Sequence, residues 1–294
     1  MWIIYTLLSS WINCAYYFGN QTAKIAPNVF MFYRGLVPVL VLSFFFPYIK
    51  FIEAWQFYAA CVFQGLIVSF IDYRQFRAIR VWGAERVSAI YPFCLCFVFI
   101  FWLVLKPSDI ITQIEHPFRL LGIIVALCGV FFSVYNYRQS YRSKQALQYL
   151  LPFILASGLC DAMNKFSMSY VPQPDLISGS VLYVWIQSLV IAVVNFIIYS
   201  NKTGSLSDLY QWQNIKYSPL IILNILAGIF KNFAMFNTPN PSYVTALMYL
   251  YIIWIMIVAR VLMHFGIKCR HNELPPQKVL LLLASSIVIA LLGQ

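Results

Sequence analysis

The chain has 294 residues, 62% of them hydrophobic and only 10% charged, with a mean hydropathy of +0.76. A soluble domain carries about a quarter charged residues, so this composition excludes a water-covered globular surface. The formal net charge of +11 comes from basic residues scattered through short loops; this excludes a basic nucleic-acid-binding domain and fits juxtamembrane anchoring.

The apolar residues fall into long blocks. A helix needs roughly 20 mostly apolar residues to cross a hydrocarbon layer, and backbone groups in lipid must be satisfied internally. The blocks are too continuous for barrel strands of about ten alternating residues. The predicted fold class is therefore all-α integral membrane, with ten transmembrane helices. The first five are read at 2–19, 29–48, 55–73, 87–105 and 117–136, the second five at 149–169, 177–199, 217–236, 242–263 and 277–293. The first block lacks a basic leader region and a clear cleavage site and carries Trp2 and Trp11, so it is expected to be a retained helix. Pro38, Pro92 and Pro152 interrupt predicted helices. Six cysteines, including Cys94 and Cys96, lie inside apolar blocks and only Cys269 outside. An odd count placed in helices argues against a disulfide framework, and small apolar filler is the simpler reading.

An internal repeat divides the chain near residue 147, giving a first five-helix half at 1–147 and a second at 148–294. The stretch from Leu120 to Gly129 matches that from Ala284 to Gly293 at Ile, Ala, Leu and Gly. Tyr73-Arg74-Gln75-Phe76 corresponds to Phe230-Lys231-Asn232-Phe233, and Ser88-Ala89 to Thr245-Ala246. The turns at Pro27 and Pro172 also correspond. Basic residues concentrate in the odd-numbered loops, which places those loops in the cytoplasm and both termini outside. An odd number of spans per half makes the two halves inverted repeats, an architecture of secondary transporters.

These features resemble the drug/metabolite transporter superfamily, particularly its EamA-type branch. The likeness rests on length, on ten helices in tandem five-helix halves, and on local features. Phe32-Tyr33-Arg34 resembles the family's aromatic-Arg-aromatic helix start, with Gly35 in place of the second aromatic. Leu120-Leu121-Gly122 through Gly129 resembles the helix that closes a repeat, and Ser157 to Phe166 the first helix of a second repeat. The family's acidic pair is represented only by Asp109 and Glu115 in one half and Glu273 in the other. The resemblance implies a carrier that moves a small organic solute by alternating access, whether by proton-coupled export, exchange or facilitated diffusion.

An ionisable group at membrane depth costs roughly 2.5–3.5 kcal/mol by insertion scales, so it marks a functional site by default. Asp161 lies near the middle of the sixth predicted span, with Asn164 and Lys165 three and four residues on and therefore on the same helical face. Asp161 and Lys165 can neutralise each other there, with a substrate carboxylate, phosphate or amine competing for the pair; a buried pair that only sets packing is the structural alternative. Lys231 and Asn232 form a basic-plus-amide pair whose repeat counterparts are Arg74 and Gln75. Asn13 and Gln187 are cavity candidates by the family analogy, and Tyr17 is a candidate stacking wall. Arg34 and Arg260 lie within about two turns of a span end, where snorkelling to the headgroups is the simpler expectation.

No Gly-rich nucleotide loop, metal-ligand spacing or nucleophile triad is present, so neither a cofactor nor a metal is expected, and the protein is read as a transporter rather than an enzyme. The expected substrate is an amino-acid-like, nucleotide-like or other anionic or zwitterionic metabolite. The expected partners are that solute, membrane lipids and, if transport is proton-driven, a coupling proton; no nucleic acid is expected. A membrane-embedded transferase acting on a lipid-linked or small substrate is the alternative. The expected location is a multi-pass position in a bacterial inner membrane, ahead of a eukaryotic organelle membrane.

Overall fold

Long apolar runs with few helix breakers satisfy their own backbone groups as helices, and the breaks between them fall mostly at glycine and proline. The computed structural model describes residues 1–22, 25–115, 117–137, 141–203, 216–264, 284–285 and 287–288. Helices α1 (Trp2–Thr22), α2 (Pro27–Ser43) and α3 (Trp55–Trp82) lead into α4 (Ala84–Ile90), a 3₁₀ turn at Tyr91–Phe93, and α5 (Cys94–Leu105). The short α6 (Ser108–Glu115) precedes α7 (Pro117–Tyr137) and α8 (Tyr141–Met168). They are followed by α9 (Leu176–Thr203), α10 (Ser218–Asn237), α11 (Pro241–Met248) and α12 (Tyr251–His264). The described residues contain no strand. Among the described residues, six helices are long and apolar enough to cross a membrane: Trp55–Trp82, Arg86–Leu105, Lys144–Met168, Gln173–Asn201, Ser218–Asn237 and Pro241–Val261.

The distribution of polarity is compatible with a protein that crosses a membrane several times. On α3, Val62, Phe63, Leu66 and Phe70 are exposed along one face, while Gln64 and Ser69 are buried. Asn164, Asn195 and Asn232 are also buried, whereas Ile4, Trp11, Ile100 and Val104 are exposed. Soluble monomers seldom present contiguous apolar surface on this scale.

The helix ends depart from expectation in several places. Helix α2 stops at Ser43 rather than 48: Pro47 has no N–H to bond the Ser43 carbonyl, and the chain turns through a 3₁₀ helix at Phe46–Tyr48. Helix α3 runs on to Trp82 instead of ending at 73, so Arg74, Arg77 and Arg80 ride on a helix rather than in a loop. It ends at Gly83, whose φ of 88° suits glycine and whose N–H reaches the Ile79 carbonyl at 2.8 Å. The guanidinium groups are shielded by rings: Arg80 lies 4.3 Å from the centre of Phe76, and Arg74 lies 5.4 Å from that of Tyr149. Helix α8 likewise begins two turns earlier than expected. Pro38 and Pro152 are accommodated inside α2 and α8, while Pro92 sits in the break between α4 and α5.

The fourth and ninth predicted spans are each broken. The second break has no proline or glycine. Its backbone tightens into i→i+3 bonds, with Tyr249 N–H to Ala246 O at 3.3 Å and Leu250 N–H to Leu247 O at 3.1 Å. Asn240 caps α11 by accepting from the Ser242 N–H at 2.9 Å. The tenth predicted span lies outside the described residues except for helical 284–285 and 287–288.

Helix α1 packs on α10, α2 on α9, α3 on α8 and α9, and α5 on α8. The α2–α9 seam brings two backbones close together at Gly35. A Cβ at Gly35 would fall 2.6 Å from Ala192 Cα and 2.7 Å from Ser188 O, both backbone atoms that cannot move aside. Overpacking of this kind costs about 1–3 kcal/mol. Gly35→Ala is therefore expected to lower the melting temperature of the detergent-purified protein by several degrees, and an unchanged melting curve would show that the seam is loose.

Candidate functional site

Among the helices lies a cavity of about 240 Å³. Its wall takes residues from α1, α2 and α3 on one side and from α8, α9 and α10 on the other, and the broken helices contribute Tyr91, Cys94, Thr245 and Tyr249. Seven of the eight residues singled out in the sequence face this space: Asn13, Tyr17, Asp161, Asn164, Gln187, Lys231 and Asn232. Lys165 is not on its wall. The Lys165 ammonium donates instead to the Phe236 carbonyl, 3.1 Å away at the end of α10.

The expected Asp161–Lys165 pairing is not the one formed. Asp161 Oδ1 pairs with Lys231 Nζ, and Oδ2 accepts from the Thr245 hydroxyl at 2.9 Å. One carboxylate thereby joins α8, α10 and α11. Asn164 donates to Asn232 Oδ1 at 3.0 Å, and Asn232 donates in turn to the Ser180 carbonyl at 3.3 Å. Lys231 and Asn232 are thus bonded into the wall.

A second ion pair was not anticipated. Arg34 of α2 and Asp72 of α3 join across the cavity wall with side chains only 12% and 16% exposed. This corrects the expectation that Arg34 reaches the headgroups. The signal was present in the sequence, because Asp72 and Asp161 are the only acidic residues inside the predicted spans. The counterparts Arg74 and Gln75 differ from each other: Arg74 Nη1 donates to the Tyr149 hydroxyl at 3.2 Å, whereas Gln75 faces the cavity and donates to the Tyr17 hydroxyl. Tyr17 stacks on Tyr251, ring centres 4.9 Å apart, making a phenolic wall with Tyr91, Tyr183 and Tyr249.

Behind the wall, Gln64 donates to the Cys160 carbonyl and accepts from the Tyr183 hydroxyl, tying α3 to α8 and α9. Interhelical hydrogen bonds in membranes average about 0.6 kcal/mol, with a maximum near 1.7. Gln64→Leu is expected to cost about 1 kcal/mol in SDS-induced unfolding; a stabilising result would mean that the bonds are not formed in the membrane. The described residues contain no group of three His, Cys, Asp or Glu side chains placed to hold a metal ion.

Chemically, the cavity holds two fixed cations, Arg34 and Lys231, and two fixed anions, Asp72 and Asp161, so the charges on its wall sum to zero among the described residues. No family model matches the chain, and no curated protein does. A solved structure, "Crystal structure of protein", is similar over all of this chain and 96% of its own length, with a TM-score of 0.60 and 12% identity. At that identity the likeness extends to the fold alone.

Proposed function

We propose that the protein is a ten-span secondary carrier of two inverted five-helix halves, which moves a small zwitterionic solute across the membrane by alternating access. The observation that carries this reading is the net-neutral cavity with two separated ion pairs on its wall. A net anion or cation would leave an uncompensated charge at membrane depth, whereas a solute with one amine and one acid group engages both signs and leaves none. The volume of about 240 Å³ lies below the roughly 300–1,000 Å³ of pockets for drug-sized ligands, which favours a metabolite of amino-acid size over a nucleotide conjugate.

Two features support the architecture. When the halves are exchanged, the α1–α10 contact becomes the α3–α8 contact, and α2–α9 becomes itself. The interruptions at Tyr91–Phe93 and at Tyr249–Leu250 occupy corresponding spans, and interrupted helices in matching positions flank the substrate sites of inverted-repeat carriers. This agrees with the resemblance to the drug/metabolite transporter superfamily.

A thermal-stabilisation screen of the purified protein tests the reading. Zwitterionic amino acids are expected to raise the melting temperature, and the same compounds to show counterflow in proteoliposomes. Turnover of a lipid or headgroup with no counterflow would overturn it in favour of a membrane-embedded transferase.

A further inference from the structure

Both oxygens of Asp161 are occupied, one by Lys231 and one by Thr245, yet the pair is reachable from the cavity, with side-chain exposures of 15% for Asp161 and 22% for Lys231. The other titratable groups around Asp161 on the cavity wall are the phenols of Tyr91, Tyr183 and Tyr249 and the thiols of Cys94 and Cys160, which are neutral near pH 7 in their ordinary range. Lys231 is therefore the cation that balances this carboxylate. Because it is tethered to α10, it is present whether or not solute is bound.

A carrier must reorient both loaded and empty, and a bare carboxylate at membrane depth opposes reorientation in either state. Ion-coupled carriers neutralise such a group with a proton or a sodium ion that then crosses with the cargo. We propose that Lys231 is a built-in counter-cation that takes the place of a coupling ion at Asp161, so that the empty carrier returns without a proton or metal ion and solute runs downhill uncoupled. On loading, the solute's ammonium takes over Asp161 Oδ1 and the released Lys231 ammonium meets the solute's acid group. Charge is conserved at each step. The Arg34–Asp72 pair on α2 and α3 stays closed and adds no net charge. This inference rests on the carrier reading.

Two measurements test it and separate its failure from that of the reading beneath it. Wild-type proteoliposomes receive a radiolabelled mixture of proteinogenic amino acids with no internal solute and no ion gradient. Uptake is expected to proceed to equilibrium and to change less than twofold with a protonophore or when sodium is replaced by choline. Uptake seen only under an inward proton or sodium gradient, or only into solute-loaded vesicles, overturns the inference.

The second measurement needs no transport. Lys231→Ala is expected to melt several degrees below wild type and to be restored by methylammonium chloride but not by equimolar potassium chloride, with the restoration lost in Lys231→Ala/Asp161→Asn. Absence of methylammonium rescue also overturns the inference. If Lys231→Ala does not fold, Lys231→Gln takes its place: its uptake without a gradient is expected to fall at least tenfold and to recover under an inward proton gradient, and failure to recover counts against Lys231. Rescue by methylammonium with no uptake under any condition overturns the carrier reading while upholding the cation site.

Discussion

Asp161→Asn is expected to weaken binding of a zwitterionic solute about a hundredfold and to remove measurable transport. Truncating one member of a hydrogen-bonded buried charge pair costs 2–5 kcal/mol, and each 1.4 kcal/mol is a factor of ten, so about 3 kcal/mol corresponds to the stated loss. The carboxamide keeps the shape of the side chain and can still accept from the Thr245 hydroxyl, so the contact among α8, α10 and α11 survives in part. What is lost is the negative charge that a solute ammonium requires. Isothermal titration with a solute found by thermal stabilisation, run beside a melting curve, separates the two effects. A cooperative melting transition, even at a lowered temperature, with affinity reduced about a hundredfold supports the assignment. Unchanged affinity removes Asp161 from the site. Asp161→Glu is expected to fall between, because the charge remains but is displaced by one methylene.

The positions of most helices were legible because long apolar blocks admit one structure in lipid. Their ends were less so. The third span was read as ending at 73 because four arginines follow, yet nothing in that stretch breaks a helix before Gly83. A span ending at 73 puts Asp72 next to its end, whereas the residue sits about three turns inside α3. Arg34 was misjudged for a related reason. Distance from a span end indicates snorkelling only on a face turned toward lipid, and which face that is depends on neighbours far away in sequence.

Asp161 and Asn164 share a face at i,i+3, and both reached the cavity. The same spacing argument failed for Lys165, whose long side chain bends to the carbonyl end of α10. The partner that Asp161 does take, Lys231, is 70 residues away, and only the packing of α8 against α10 brings the two together. The phenolic wall was missed because tyrosines at interfaces and tyrosines in cavities look alike until the breaks near Tyr91 and Tyr249 are seen.

The Arg34–Asp72 pair gives the second large effect. Its partners lie on adjacent helices, with little of either side chain exposed. Arg34→Met is expected to cost about 3 kcal/mol because Asp72 is left as an unpaired carboxylate at membrane depth, and Asp72→Leu a similar amount because Arg34 is stranded. The double variant Arg34→Met/Asp72→Leu leaves no stranded charge. Replacing a buried pair by apolar residues of similar size is often neutral, so the double variant is expected to lie within about 1 kcal/mol of wild type. The resulting coupling energy far exceeds the few tenths of a kcal/mol by which independent sites depart from additivity. Unfolding in SDS followed by circular dichroism supplies all four corners of the cycle. Additive losses would mean that the two groups act separately and that Arg34 does reach the headgroups. The cycle also bears on transport. The apolar double variant keeps the cavity neutral while removing one pair, so a well-folded double variant that has lost solute binding would place the solute's acid group on Arg34. Retained binding would place the whole of recognition on Asp161 and Lys231.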